Sequence, residues 1–244
     1  MTRVIAVSNQ KGGVGKTTTV VNLAAYAAAA GRRTLIIDND PQANATSVLS
    51  PGSHSGTVYS GQVPLATSEE RLFMIPGSAD LIDDERKLSR QDQGRFALKR
   101  TIGTLASSFD LILIDCPPTL SYLPMNALLA ADYLLLPLQA EYFALEGLTQ
   151  LLALVEDLRH DSGATLALLG IVLTMAHPAY PLSAQVEAEV RRHFQGDVLR
   201  TTIPRDPALA AAPSHGQSIL QYDPLSPGGV AYAALTKEVL DVLK

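Results

Sequence analysis

The sequence contains a single cysteine, Cys116, in 244 residues. One cysteine cannot form an internal disulfide, so disulfide-stapled secreted domains are excluded and a reducing, cytoplasmic location is expected. Excess positive charge is also absent, because the formal net charge is −5 and only 18% of the residues are charged. A broadly basic surface is therefore excluded, although this balance is compatible with a small local basic patch that meets nucleic acid.

Long apolar runs are missing as well. None is long enough to cross a bilayer, so we expect a soluble protein. Met1-Thr2-Arg3 leads directly into the first apolar segment, so we expect no signal peptide. The sequence has no internal repeat, and its length is ample for one core but short for two. We therefore predict a single domain over residues 1–244.

Hydrophobic residues are abundant, at 47%, and they form short continuous runs between helical patterns. Strands that are apolar throughout predict parallel strands buried on both faces. The expected fold is α/β and doubly wound, with a mostly parallel sheet, helices on both faces and ligands at the carboxyl ends of the strands. The predicted strands are Val4–Ser8, Thr34–Asp38, Leu72–Ile75, Leu111–Asp115, Tyr133–Leu138, Leu168–Thr174 and Val198–Ile203. The predicted helices are Lys16–Ala30, Gln91–Ser107, Leu120–Ala130, Leu145–Arg159, Leu182–Phe194 and Gly229–Leu243.

Two glycine-containing segments lie between these elements. Gly31 stands where a helix C-terminal glycine is expected, directly after the first helix. Pro51–Ser68 is rich in Gly, Ser and Pro, which predicts a surface excursion rather than a domain linker.

A glycine-rich segment follows the first strand and opens the first helix, the setting of a phosphate-binding loop. Glycines allow successive backbone N–H groups to point at one anion, and the helix N-terminus adds its dipole. Lys16 would reach the outer phosphates of a nucleotide, and the Thr17 hydroxyl would ligate Mg²⁺. The ordinary G-x-x-x-x-G-K-T pattern is altered, because Gln10 replaces its first glycine and a second lysine follows. The predicted phosphate-binding residues are Lys11, Gly12, Gly13, Val14, Gly15, Lys16, Thr17 and Thr18.

Carboxylates end two of the predicted strands. Asp115 ends a buried strand, where a phosphate-loop enzyme keeps the acid that holds Mg²⁺, usually through water. Asp38 and Asp40 are two residues apart, so along an extended backbone they point the same way. One acid near the metal and one near the attacking water would suit hydrolysis. The alternative is a pair of polar turns or caps at strand ends, and Cys116 is expected to be a small hydrophobe.

With these residues in view, the chain resembles the ParA/Soj partition ATPases, within the MinD/Mrp/ParA group of deviant phosphate-loop ATPases. The likeness covers nearly the whole length. The segments that carry it are Lys11–Thr18, Asp38–Thr46, Phe109–Pro118, Asn126–Leu128, Gln139–Leu148, Ile203–Arg205 and Ala212–Gly216. The resemblance implies a phosphate-loop NTPase fold and an Mg²⁺-dependent ATPase of weak intrinsic turnover, with ATP and Mg²⁺ as cofactors.

The resemblance also implies roles for single residues. Lys11 would reach across a homodimer to the partner's nucleotide, so that ATP is sandwiched and the second cation acts as an arginine finger does. Asp40 would position the attacking water, which makes Lys11, Lys16 and Asp40 the predicted catalytic residues. Thr17, Asp38 and Asp115 are the predicted metal site. Backbone near Pro204 and Asp206 would form the adenine rim, although the family has Asn where this chain has Asp206.

The implied function is DNA segregation, for a chromosome or a plasmid. An ATP dimer would bind double-stranded DNA non-specifically on the nucleoid, and a ParB-type partner would trigger hydrolysis and release. Two arginines that the family associates with DNA are replaced here by Ala179 and Ala208, which predicts weaker binding. The cations predicted to remain at the DNA are Arg191, Arg192 and Arg205. The alternative for Arg191 and Arg192 is an ordinary solvated helix end.

Three other functions fit the sequence less well. A MinD-like, membrane-associated positioning ATPase needs an interfacial anchor, but residues 230–244 carry little positive charge, so a helix packed on the sheet and no membrane contact are expected. An iron–sulfur ATPase of the same superfamily needs paired cysteines, which this chain lacks. A degenerate nucleotide-binding scaffold conflicts with the complete set of Lys16, Thr17, Asp40 and Asp115.

Overall fold

The structure is a computed structural model that describes residues 1–50, 52, 54, 56–140, 153–158, 160, 165–177 and 180–244. Its strands are β1 (Arg3–Val7), β2 (Thr34–Asp38), β3 (Leu65–Ala66), β4 (Leu72–Ile75), β5 (Leu111–Asp115), β6 (Tyr133–Gln139), β7 (Ala167–Ala176) and β8 (Val198–Pro204). They form an eight-stranded sheet in the order β3-β4-β2-β5-β1-β6-β7-β8. All neighbours pair in parallel except β3 and β4.

The helices connect these strands. They are α1 (Lys16–Ala29), α2 (Asn44–Leu49), α3 (Leu81–Leu88), α4 (Ala97–Leu105), α5 (Tyr122–Ala130), α6 (residues 153–158), α7 (Pro181–His193), α8 (Pro207–Ala211), α9 (Ile219–Tyr222) and α10 (Pro227–Val242). Short 3₁₀ turns cover Gly94–Phe96, Ala106–Ser108 and Ala212–His215. Within these described residues, no helix is both long and apolar enough to cross a membrane.

Helices cover both faces of the sheet, which confirms the predicted doubly wound architecture. On one face, α4, α5, α6 and α7 pack against the strands, with Leu98, Leu128 and Val190 fully buried. On the other face, α1 and α10 pack together, and the Thr19 and Tyr232 hydroxyls lie 3.2 Å apart across that contact. The inner strands β1, β2, β5 and β6 are buried on both sides, which explains their continuous apolar sequences.

The sheet register brings the predicted acids together. Val7 and Asp38 each lie beside Asp115 on neighbouring parallel strands, so the carboxyl ends of β1, β2 and β5 coincide. The chain leaves β1 towards β2 on one side, whereas β6 lies on the other side. In a doubly wound sheet such a reversal opens a crevice at the carboxyl ends of the strands. The candidate site lies there.

Most predicted strands match the structure, and β2, β4 and β5 have the predicted bounds. Helix α1 ends as predicted at Gly31 (φ 89°), whose N–H donates to Ala28 while that of Arg32 donates to Ala27, a Schellman pattern. The prediction for Pro51–Ser68 was incomplete, because Thr57 and Val58 are buried and Val58 joins the core. The predicted helix Leu145–Arg159 lies largely outside the described residues.

Candidate nucleotide site

The glycine-rich loop has the backbone that its sequence predicts. Gly13 and Gly15 have φ of 75° and 89°, a conformation that glycine adopts without strain. Gly12 and Gly13 are exposed, and no atom lies within 4 Å of where a Cβ would be at either position. Their backbone can therefore approach an anion closely at the N-terminus of α1.

Neighbouring strands hold this loop in place. Asn9 accepts a hydrogen bond from the N–H of Lys11 (3.0 Å) and donates one to the carbonyl of Pro137 in β6 (2.8 Å). At the other end of the loop, the hydroxyl of Thr174 in β7 donates to the carbonyl of Val14 (2.9 Å). Both anchors are buried polar side chains, and neither was singled out from the sequence.

Lys16 is the buried cation of the site, with 7% of its surface exposed. Its ammonium donates to the carbonyl of Lys11 across the loop (3.1 Å). Burial lowers the pKa of Lys16, and the charges of Asp115 and Asp40 oppose that shift. Lys16 therefore lies between the phosphate loop and the acids at the strand ends, as a phosphate-binding lysine requires.

Asp115 is fully buried, and both of its carboxylate oxygens lack a hydrogen-bond partner in the described part of the chain. Burial raises the pKa of Asp115 well above its usual range, and Asp38 adds to the shift while the Thr17 hydroxyl opposes it. A buried carboxylate that no donor satisfies needs a cation or a water to balance it. Asp115 and the Thr17 hydroxyl supply hard oxygen atoms, which fit Mg²⁺ with phosphates and water as further ligands. Among the described residues no cluster of three or more His, Cys, Asp or Glu could hold a metal alone.

Asp38, predicted as part of the metal site, accepts hydrogen bonds from two neighbouring segments. Its Oδ2 accepts from the N–H and the hydroxyl of Thr46 in α2 (2.8 and 2.6 Å), and its Oδ1 accepts from the N–H of Asp40 (3.3 Å). Burial raises the pKa of Asp38 to about 6. These bonds hold α2 against the end of β2, and metal ligation by Asp38 stays a prediction.

Asp40 lies beyond Asp38 in a tight turn. Its carboxylate accepts from the N–H of Gln42 (2.9 Å), and its carbonyl accepts from Ala43. Asp40 is 5% exposed, and its charge acts on Lys16, so it lies within the site. The carboxylate is therefore fixed by its own backbone near the place where phosphates would lie.

The residue between these two acids connects the site to the rest of the molecule. Asn39 is buried, donates to the carbonyl of Leu123 in α5 (3.0 Å) and accepts from the hydroxyl of Tyr59 (2.9 Å). Sequence reasoning missed this residue, because its partners are 84 and 20 positions away. Cys116 is buried and burial raises the pKa of its thiol, which agrees with the predicted role as a small hydrophobe.

A cavity of about 320 Å³ adjoins the loop at the predicted adenine rim. Its wall includes Gly15, Thr18, Pro204, Asp206 and Tyr232. Asp206 caps α8 by accepting from the N–H of Ala208 (2.9 Å), and its other oxygen accepts from Gly228 (2.7 Å). Burial alone would raise the pKa of Asp206, but these two bonds, together with one from the Ser226 hydroxyl, outweigh it and lower the pKa. With its carboxylate so engaged, Asp206 offers chiefly its backbone to this cavity.

The arginines predicted to meet DNA are mostly engaged within the protein. Arg191 binds Glu187 (2.9 Å) and the Leu199 carbonyl (3.0 Å), which fixes α7 to β8. Arg192 makes two bonds to Glu189 (3.1 and 2.7 Å). These contacts favour the alternative of an ordinary helix end, because the glutamates offset both charges. Arg205 is exposed beside the cavity.

The two alanines that replace family arginines differ in what the structure shows of them. Ala208 packs against the core face that holds α1 and α10, so it does not point into open solvent. Ala179 lies outside the described residues, as do residues 141–148 of the family-like segment. The prediction of weakened DNA binding therefore stays a prediction.

Several known proteins are similar to this chain over nearly its whole length. A protein-family model described as an AAA domain matches residues 2–168. The chain is 43% identical to the chromosome partitioning protein ParA of Myxococcus xanthus, over 98% of this chain and 88% of that one. It is also 43% identical to the sporulation initiation inhibitor protein Soj of Bacillus subtilis, over 98% of each chain. A structure titled cobyrinic acid a,c-diamide synthase from Mycobacterium smegmatis, with bound ATP analog and magnesium, is similar with a TM-score of 0.85 and 33% identity, over 98% of this chain and 95% of that one.

Proposed function

We propose that residues 1–244 act as one ATP-driven switch for DNA segregation, since this chain belongs to the ParA/Soj family of chromosome-partitioning ATPases. The ATP state would dimerise and hold DNA, and hydrolysis would release it. The observation that carries the proposal is the buried Asp115 carboxylate, unsatisfied in the described structure and close enough to influence the buried Lys16. This pairing of acid and lysine at a glycine-rich loop suits a nucleotide phosphate with its metal.

The chain's own groups bind the nucleotide in two parts. The N–H groups of the exposed Gly12 and Gly13 would donate hydrogen bonds to phosphate oxygens. The Lys16 ammonium would give up its bond to the Lys11 carbonyl and bind the outer phosphates. The base would enter the cavity of about 320 Å³ beside Pro204 and Tyr232. Apolar lining with few polar groups suits an adenine ring.

Thr17 and Asp115 are the proposed holders of Mg²⁺, the latter through water, and the ion would neutralise charge on the transferring phosphate. The solved relative that carries an ATP analog and magnesium supports Mg²⁺ as the ion that accompanies the nucleotide. Asp38 is proposed instead as a positioning residue, because its oxygens already accept three bonds. It holds α2 and Asp40 in place at the end of β2.

Hydrolysis is assigned to Asp40 and Lys11. Asp40 is buried, fixed in its turn and near Lys16, so it would accept a hydrogen bond from the attacking water and orient it. Lys11 is half-buried and directly precedes the exposed Gly12 and Gly13 of the loop. From that position a second copy's Lys11 would reach the same phosphates, so that turnover is weak in the monomer and depends on the dimer.

DNA and a ParB-type protein are the proposed partners, and the nucleoid is the proposed location. Curated relatives named chromosome partitioning protein ParA and Soj support this choice over a MinD-like positioning ATPase. The partition relatives are more similar in sequence than the Mycobacterium smegmatis synthase structure, which favours DNA segregation over a synthase activity.

The test is an ATPase assay with Mg²⁺, run alone, with duplex DNA, and with DNA plus a ParB-type partner. We expect slow turnover alone and faster turnover with both additions. Asp115→Asn serves as the matched variant, since it keeps the side-chain shape and removes the charge. No turnover by the wild-type protein with both additions would contradict the proposal. Equal turnover in Asp115→Asn and in the wild type would contradict it as well.

A further inference from the structure

Four cations around the start of α4 have no carboxylate partner among the residues that the structure describes. They are Arg90, Arg95, Lys99 and Arg100, which we call the α4 basic corner. Arg90, Lys99 and Arg100 are exposed, and Arg95 is half-exposed. Asp92 is the one acid in residues 89–103, so this stretch carries a local excess of positive charge on an acidic chain.

The acids on the preceding helix do not offset this charge. Asp83 pairs with Arg86 (3.1 Å), and Asp84 pairs with Lys87 (3.4 Å). Glu85 accepts from the N–H of Leu123 (3.0 Å). Each acid of α3 therefore has its own partner, and the corner is left for an external anion.

Tight turns connect the short segments that carry these cations. The N–H of Arg90 donates to Lys87, and the N–H of Gly94 donates to Gln91, so the chain folds back directly after α3. A Cβ at Gly94 would overlap the Leu88 carbonyl, which shows how closely the two turns pack. The Arg100 guanidinium reaches back to the carbonyl of Gln93 (3.1 Å).

The corner is attached at both ends to α5, the helix that follows the Asp115 strand. Glu85 caps Leu123 near the first turn of α5, and Asn126 of α5 accepts from the N–H of Leu98 at the first turn of α4 (3.2 Å). A shift of α5 in response to nucleotide would therefore move the corner. This contact route gives the ATP state a way to alter what the corner binds.

We propose that the α4 basic corner contacts the phosphate backbone of double-stranded DNA and takes the place of the engaged pair Arg191 and Arg192. This inference rests on the proposed function, in which the ATP state holds DNA. Cations that are not offset by carboxylates release counterions when they meet phosphates, which is the main source of non-specific affinity. Arg192 already makes two hydrogen bonds to Glu189, so a contact between Arg192 and a DNA phosphate would add less binding free energy.

The test compares two double variants in DNA-binding titrations, read by fluorescence anisotropy of a labelled duplex across a salt series. The protein is held with a non-hydrolysable ATP analogue and Mg²⁺. Arg90→Glu/Lys99→Glu reverses two exposed cations that form no ion pair within the described part of the chain, and Arg90→Gln/Lys99→Gln removes their charge. Arg192→Glu tests α7, and Lys237→Glu on α10 is a matched surface control.

We expect Arg90→Glu/Lys99→Glu to weaken DNA binding by about 10-fold or more and to lower the salt slope by about 0.9 per lost contact. The neutral pair should show a smaller loss, and both control variants should bind as wild type does. Equal ATP affinity by calorimetry shows that each variant is folded. Wild-type DNA affinity in both double variants would overturn the proposal for the α4 basic corner and leave the proposed function standing. No DNA binding by the wild type at low salt would overturn the proposed function as well.

Discussion

Thr46 donates two hydrogen bonds to one carboxylate oxygen of Asp38, from its N–H at 2.8 Å and from its hydroxyl at 2.6 Å. The hydroxyl in turn accepts from the N–H of Gly77 (2.8 Å), so its own proton is committed to Asp38. The acid at the end of β2 is thus joined to α2 and to the segment after β4. Asp38 holds the frame in which Asp40 is presented.

The first prediction concerns the pH dependence of stability. Burial raises the pKa of Asp38 to about 6 from 3.8, so between those values the native state binds a proton that the unfolded state has lost. Native stability is therefore highest at low pH with respect to this group, and it falls as the pH rises through 6, by about 3 kcal/mol in all. In Asp38→Asn the free energy of unfolding should fall less steeply between about pH 4 and about pH 6.

Urea unfolding of nucleotide-free wild type and Asp38→Asn at several pH values measures this difference. Asp115 also has a raised pKa, so part of the slope should persist in the variant. Parallel pH profiles for the two proteins would show that Asp38 is not the titrating group.

The second prediction concerns Asp40. Asp40→Ala should keep ATP affinity and dimerisation, because Lys16 and the loop are untouched, while hydrolysis falls about 100-fold or more through loss of the group that orients water. Calorimetry and a steady-state ATPase assay separate the two effects. Turnover at the wild-type rate would move the role to another acid, with Asp38 the first to test.

The third prediction concerns Lys11. Lys11→Ala should still bind ATP, because the loop backbone keeps its bonds to Asn9 and Lys16. It should stay monomeric, because the side chain that would reach the partner's nucleotide is gone. Sedimentation velocity with a non-hydrolysable ATP analogue measures the state directly, and Lys11→Arg is the matched variant that keeps the charge. A full dimer of Lys11→Ala would remove the cross-subunit role.

The fourth prediction concerns the adenine wall. Asp206→Ala leaves the N–H groups of Ala208 and Gly228 without their acceptor, so stability should fall by about 1 kcal/mol, the usual cost of a lost helix cap. ATP affinity should fall as well, because α8 lines the cavity. Asp206→Asn keeps one acceptor and should lie between the two proteins in urea unfolding. Identical midpoints for Asp206→Ala and wild type would show that the cap has no structural weight.

The sequence predicted the sheet well because its strands are buried on both faces and therefore read as continuous apolar runs. Thr34–Asp38 and Leu111–Asp115 matched for this reason, and the glycine loop between β1 and α1 followed from its motif. Helix Asn44–Leu49 was missed, since it contains few strong helix formers and Asp38 holds it from outside. Local patterns cannot show a stabilising contact of that kind.

The arginines show the same limit. Helical spacing correctly placed Arg191 off the core face, but the sequence could not show that Glu187 and a carbonyl of β8 occupy it. The cations between Arg90 and Arg100 were visible as residue types, yet their significance depends on which carboxylates pair elsewhere. Ion pairing is a tertiary property, so a charge count alone could not rank the two patches.

In this account Lys16 binds ATP, and the Lys11 of a second copy reaches the phosphates of that ATP. The resulting dimer is the state that binds DNA. The most direct measurement is duplex DNA binding by the wild-type protein at low salt, with Mg²⁺ and either a non-hydrolysable ATP analogue or ADP, alongside Lys16→Ala. We predict a salt-sensitive complex with the ATP analogue, little binding with ADP, and none above the ADP level for Lys16→Ala. DNA binding of equal strength in all three cases would contradict the account.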